Sequence, residues 1–239
     1  VKEVRDNNLI KDYQDKATEA MFDDGSFFSK YGSYFLHGVG YTILLSFLGV
    51  VAGALIGCFL ALMKLSNSKI FKSIASVYIE FIRGTPLLVQ VFLVYFGTTA
   101  VLGLDLSALI CGIIALIINC SAYIAEIIRA GINAVDNGQM EAARSLGLNK
   151  SQAMTKVILP QAIKNILPAL GNEFVTVIKE SSIVSVIGVS ELMFNAQVVQ
   201  GASFDPFTPL LVAAVLYFIL TFTLSRVMYF AERRFSVSD

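Results

Sequence analysis

The chain has 239 residues, 56% of them hydrophobic and 15% charged, with 18 Phe and a mean hydropathy of +0.70, whereas a soluble domain carries about 25% charged residues. That balance excludes a soluble enzyme, a disordered chain and a nucleic-acid binder, and 18 Lys and Arg against 18 Asp and Glu imply no polyanionic partner. Cys58, Cys111 and Cys120 all lie in apolar runs without metal-ligand or redox spacing, so they read as small buried apolar residues, and the single His37 cannot build a metal site alone.

In chain order, residues 1–36 form a mixed-charge segment outside the first span. Phe27, Phe28, Tyr31, Tyr34 and Phe35 recur there at helical spacing, which predicts an N-terminal helix lying in the membrane interface, or else a leader into the first span. From Tyr41 to Met63 no residue is charged. At about 1.5 Å per residue that run crosses a hydrocarbon core of about 30 Å. Further apolar segments follow at about 77–98, 106–128, 166–189 and 207–225. Pro86, after Gly84 and Thr85, predicts a kink in the second. Period-two alternation is absent and open sheet edges cannot face lipid, so the fold class is all-α, a polytopic membrane protein with five transmembrane helices.

Orientation follows from the basic residues between spans. Lys64, Lys69 and Lys72 follow the first span; Arg129, Arg144, Lys150, Lys156 and Lys164 follow the third; Arg226, Arg233 and Arg234 follow the fifth. The connections 98–106 and 190–206 hold no Lys or Arg. The N-terminus is therefore expected outside and the C-terminus in the cytoplasm.

The long cytoplasmic connection, about 136–165, is the stretch richest in local signals. Met140 to Leu146 is built of good helix formers, Gly147 stops them, and Asn149 or Ser151 can cap a second helix running into the fourth span. Ala142 and Ala143 leave little side chain, so another surface could approach closely; a surface hairpin without a partner is the alternative. The fourth span is interrupted by charge. At about 100° per residue, Asn172, Glu173, Thr176, Lys179 and Glu180 share an arc of about 120°, the pattern of a helix lining a wet cavity or packing on a polar neighbour. Charged residues inside a bilayer face protein or water, and a substrate with both an ammonium and a carboxylate would find both signs there. Asn119 in the third span, spaced with Tyr123 and Glu126, and Gln90 in the second are further candidates for the path. Glu80 and Arg83, at i and i+3, are expected to pair as a gate or an interfacial anchor.

These residues carry a family resemblance. Glu141-Ala142-Ala143, Gly147 and Val157-Ile158-Leu159-Pro160 resemble the EAA signature of ABC importer permeases, EAA-x3-G-x9-I-x-L-P, with Val157 in place of Ile. The stretch Tyr78 to Gln90 (YIEFIRGTPLLVQ), Ala122 to Arg129 (AYIAEIIR) and Lys179-Glu180-Ser181-Ser182 are similar to the polar amino-acid branch of that family. The resemblance covers about residues 35–235.

It implies a type I permease domain over about 37–232, with Glu141, Ala142, Ala143 and Gly147 meeting the ATPase and residues 233–239 as a cytoplasmic tail. The implied partners are two ATPase subunits, a second identical or homologous permease subunit, an external amino-acid-binding protein and the lipid bilayer of a bacterial cell membrane. The chain itself is expected to bind no cofactor and no metal, and to be no enzyme: ATP and Mg belong to the separate ATPase. No G-x-x-x-x-G-K-[ST] string occurs, and Gly147-Leu148-Asn149-Lys150-Ser151 lacks the second glycine that a phosphate loop needs. The Lys-Glu-Ser-Ser stretch favours a glutamine or glutamate type of substrate, with basic amino acids and cystine open. A secondary transporter driven by an ion gradient is the competing class; it would often show an internal repeat.

Overall fold

A computed structural model describes residues 26–236, which are helical with no strand among them. The helices are α1 (Ser26–Leu65), α2 (Lys69–Gly84), α3 (Leu87–Leu102), α4 (Ala108–Asn133), α5 (Asn137–Ser145), α6 (Lys150–Ala153), α7 (Leu159–Glu180), α8 (Leu192–Ser203) and α9 (Thr208–Ser236). A π-helical turn, Met154–Ile158, joins α6 to α7, and a 3-10 turn, Ser181–Ile187, follows α7. Three helices, over Phe27–Leu65, Ala108–Asn133 and Thr208–Phe230, are long and apolar enough to cross a membrane alone; five spans result if each of two bent pairs counts as one.

The first bent pair corrects an expectation. Instead of one kinked span at 77–98, α2 and α3 meet at a corner of 108°. Pro86 has no N–H to offer the carbonyl of Ile82, and the residue before a proline is pushed out of the helical region; Thr85 is extended, at φ −115° and ψ 143°. The second difference lies in the connection 190–206, which contains α8, bent by 51° from the preceding helix. A third lies at the N-terminus. The aromatic residues expected on an interfacial helix are the first turns of α1, continuous with the first span; Tyr31 and Phe35 are buried against Leu192, Ala196, Val199 and Ala213, while Phe28 and Tyr34 are exposed. The earlier part of the 1–36 segment and the last three residues of the tail lie outside the described residues.

Packing centres on α1 against α4. Gly49, Gly53 and Gly57 recur every four residues along one side of α1, so the backbones approach closely. A Cβ at Gly53 would stand 2.7 Å from the Cβ of Cys120, and one at Gly57 would stand 2.9 Å from the carbonyl oxygen of Ser121. Leu45, Leu87, Val91, Leu116, Val184 and Val189 form the core above this contact. Glu191, fully buried, caps α8: its carboxylate accepts from the amides of Met193 (2.9 Å) and Phe194 (2.8 Å) and from the hydroxyl of Tyr217 on α9 (2.5 Å). The amide of Leu192 donates to Thr42 Oγ1 on α1 at 3.2 Å. The carboxylate thus ties α8 to α9, and the Leu192 amide ties it to α1.

Candidate permeation face and coupling hairpin

The hairpin forms as its sequence dictates. Asp136 caps α5, accepting from the Gly138 amide at 2.7 Å. At the other end, Leu148 N–H donates to Ala143 O and Gly147 N–H to Arg144 O, the double closure of a Schellman motif. Gly147 has φ +87°, which a residue with a side chain adopts only with strain. Asn149 and Gln152 then close a reciprocal capping box, both bonds at 2.9 Å. Pro160 withholds the donor that Lys156 O would use, and the chain answers with a π-turn in which Leu159 N–H reaches Met154 O. Met140 and Met154 seat the hairpin on Val135, Ile158 and Ala162 of the bundle. Glu141, Ala142 and Gly147 are exposed, and Leu146 is 85% exposed. Ala143 is buried, so of the four residues expected to meet a partner it faces the bundle instead.

The α7 face also matches its spacing. Val177 and Ile178 are buried toward the other helices, whereas Asn172 and Lys179 are exposed and Glu173, Thr176 and Glu180 half-buried. Thr176 Oγ1 donates to the Asn172 carbonyl at 3.1 Å. A row of polar groups therefore looks out of the C-terminal half of α7, whose remaining residues there are apolar.

Three sequence expectations are corrected by contacts between helices. Gln90 and Asn119 do not open onto a path: both are buried, and Asn119 Nδ2 donates to Gln90 Oε1 at 3.0 Å. Gln90 Nε2 donates at 2.7 Å to Ile82 O, the carbonyl orphaned by Pro86, and reaches Thr85 O and Thr85 Oγ1 at 3.1 and 3.0 Å. The amide thus locks the α2–α3 corner. Nor does Arg83 pair with Glu80, which is exposed. Arg83 NH1 lies 3.9 Å from Glu126 Oε1, with its guanidinium over the Tyr123 ring, 5.5 Å from its centroid. Glu126 also binds Arg129 on its own helix at 2.5 and 3.0 Å and Lys64 of α1 at 3.4 Å. One carboxylate joins the ends of α1, α2 and α4, a knot that helical spacing within one segment could not reveal. Among the described residues no group of three or more His, Cys, Asp or Glu could hold a metal ion.

An apolar helical bundle with broken spans, a polar row on one of them and an exposed capped hairpin outside defines a polytopic membrane permease. The chain belongs to the family described as the binding-protein-dependent transport system inner membrane component, whose model matches residues 49–237. It is 40% identical over 205 residues to a putative glutamine transport system permease protein of Rickettsia bellii (strain RML369-C), covering 86% of this chain and 94% of that one. It is 39% identical over 206 residues, with the same coverage, to the arginine transport system permease protein of Bacillus subtilis (strain 168). Among solved structures, a crystal structure of an amino acid ABC transporter with histidines matches at TM-score 0.85 and 52% identity, covering 88% of this chain and 98% of that one. The inward-facing MetNI methionine transporter shares the fold, at TM-score 0.69 and 20% identity. The chain is thus a multi-pass inner-membrane permease subunit of an ABC-type amino-acid transporter, not its ATPase, in a family that works with an ATPase and a binding protein.

Proposed function

We propose that this subunit imports a polar amino acid into the cytoplasm, with ATP and Mg held by two separate ATPase subunits and substrate delivered by an extracytoplasmic binding protein. The observation that carries the reading is the α7 row, Asn172, Glu173, Thr176, Lys179 and Glu180, which looks out of the chain rather than into it. Charge inside a bilayer faces protein or water, so a second permease subunit, identical or homologous, faces it across a shared wet path. Glu141, Ala142 and Gly147, with Leu146 beside them, form the surface for the ATPase, and Ala143 seats the hairpin. The permease core extends over about 37–232, with the N-terminus outside and the C-terminus inside.

Glutamine or glutamate is the favoured substrate type, and the Rickettsia relative's name supports it. A basic amino acid is the second reading. It draws on the two carboxylates against one ammonium on the α7 row and on the arginine permease of Bacillus subtilis.

The test is uptake into proteoliposomes holding the assembled complex, with ATP inside and each labelled amino acid presented with the binding protein outside. Uptake is expected only with ATP on the ATPase side. Uptake driven by a sodium or proton gradient without ATP would overturn the reading. Competition among glutamine, glutamate, arginine and cystine separates the substrate classes.

A further inference from the structure

Helix α2 carries three distinct faces. Taking about 100° per residue, Ala75, Ile79 and Ile82 share an arc of about 60°, and all three are buried. A second arc of about 60° holds Ile70, Ile74, Val77 and Phe81, which are 71, 55, 65 and 58% exposed. The third, about 100° wide, holds Lys69, Lys72, Ser73, Ser76, Glu80 and Arg83. All of these are exposed except the half-buried Ser76. A helix crossing a membrane beside a bundle needs two environments, protein and lipid. Three faces, one of them charged along the whole length, fit a helix lying at a boundary between bundle, hydrocarbon and water.

The contacts of α2 give the same geometry. Ala75 and Ile79 pack with Ala125 and Ile128 of α4, Tyr78 hydrogen-bonds Ser121 and Ile118 O, and Arg83 reaches Tyr123 and Glu126. From Ala75 to Arg83 the helix advances about 12 Å, and its partners on α4, from Ile118 to Ile128, do not follow in steady order: Tyr78 meets Ile118 and Ser121, whereas Arg83, further along, returns to Tyr123 and Glu126. The climb along α4 begins only past the corner, where Leu87 and Val91 of α3 pack with Cys111, Ala115 and Leu116.

We propose that α2 lies along the cytoplasmic interface of the membrane, across the stretch of α4 from Ile118 to Ile128, and that Lys69 and Lys72 bind the headgroups of anionic phospholipid there. Ile70, Ile74, Val77 and Phe81 dip into the acyl chains. Both lysines are exposed and stand in the first turn, Lys69 on the side nearer the apolar stripe and Lys72 on the side nearer the bundle, and they meet a leaflet whose anionic lipids attract basic residues. The cytoplasmic assignment rests on the distribution of Lys and Arg proposed above; the in-plane placement does not depend on transport.

The native chain has no tryptophan, so single Trp variants at Ile70, Ile74, Val77 and Phe81 report this stripe alone in bilayers containing brominated lipid. An in-plane α2 gives all four the same depth profile with lipids brominated at successive acyl positions. Placing the bromine on phosphatidylglycerol rather than phosphatidylcholine should increase quenching at Ile70 and Ile74 at least twofold, and Lys69→Gln with Lys72→Gln should remove that excess. As a second measurement, cysteines replacing Ser73, Ser76 and Glu80, in a chain whose Cys58, Cys111 and Cys120 are serine, should react with an impermeant thiol reagent from the cytoplasmic side. Cysteines replacing Ile74, Val77 and Phe81 should react at least tenfold more slowly. A depth that increases steadily from Ile70 to Phe81 overturns the in-plane placement. Equal depths without preference for phosphatidylglycerol overturn the anionic site. A disulfide between two Val77→Cys chains, with no quenching on the stripe, would mean that a second copy covers it, and overturns the proposal as a whole.

Discussion

Replacing Gly53 by alanine tests whether the α1–α4 contact sets the stability of the bundle. The new Cβ would lie 2.7 Å from the Cβ of Cys120, 3.3 Å from Ser121 N and 3.4 Å from Ile117 O. Favourable carbon contacts are at about 3.5–4.0 Å, so the first is short by about 1 Å, and no rotamer change relieves it because these atoms are fixed by the α4 backbone. The helices must separate, and the neighbouring contacts at Gly49 and Gly57 go with them. Overpacking of this kind costs about 1–3 kcal/mol. Alanine also favours a helix over glycine by up to about 1 kcal/mol, so the comparison is with Gly40→Ala in the same helix, where nothing lies within 4 Å of the added Cβ. Gly53→Ala should be less stable than Gly40→Ala by about 1–3 kcal/mol, a factor of about 5–150 in the unfolding equilibrium. The measurement is unfolding of the purified chain in mixed micelles with increasing dodecyl sulfate, followed by helical circular dichroism. Removing the opposing Cβ, in Gly53→Ala with Cys120→Gly, should recover more than half of the loss. Equal stability of the two alanine variants, or simple additivity in the double variant, would refute the reasoning.

Three other perturbations reach other parts of the molecule. Lys179→Ala and Glu180→Ala should each assemble with their partners yet lower uptake or shift amino-acid preference, and unequally, because adjacent helical residues face different partners; normal uptake of every amino acid by both would remove α7 from the path. Gly147→Asp, which demands φ +87° of a residue with a side chain, and Glu141→Lys should leave the spans inserted. Both should weaken co-purification of the ATPase or its stimulation by loaded binding protein; wild-type values in both would show that the hairpin does not couple. Gln90→Leu leaves Asn119 Nδ2 without its acceptor and Ile82 O with only the 3.4 Å bond from Thr85 Oγ1, at about 1–3 kcal/mol per buried group left unpaired. Melting of this variant should show the loss, and an unchanged midpoint would mean that the corner stands without its lock.

The long apolar runs, the hairpin and the α7 row were legible in the sequence because each depends on local composition or on a period of 3.6 residues. Asn149 as a cap, Gly147 as a stop and the outward face from Asn172 to Glu180 needed no knowledge of a neighbouring helix. What escaped depends on residues far apart. Pro86 announces a break, but the angle is set by Gln90 reaching back to the carbonyl that the proline leaves bare. Asn119, Tyr123 and Glu126 resemble a pathway face by spacing alone, yet they are taken up by Gln90, Arg83 and Lys64 from other helices. Helix α8 was hidden by Asn195, Gln197 and Gln200, which make it read as a connection. Its signal was Glu191 placed as a cap ahead of Leu192 and Met193. The glycines of α1 were visible at a spacing of four, and their meaning came only with the facing backbone of α4.

The unbroken length of α1 has a mechanical consequence. Its 40 residues measure about 60 Å, roughly twice the hydrocarbon thickness. Near one end Tyr31 and Phe35 bear on α8 and α9; toward the other, Gly53 and Gly57 bear on α4 and Lys64 on Glu126. With the glycines as fulcrum, a tilt of about 5° would carry Tyr31, about 35 Å away, through about 3 Å. The rod cannot rock on one side of the membrane without sweeping the other, so it is built as a lever whose two bearings report on each other.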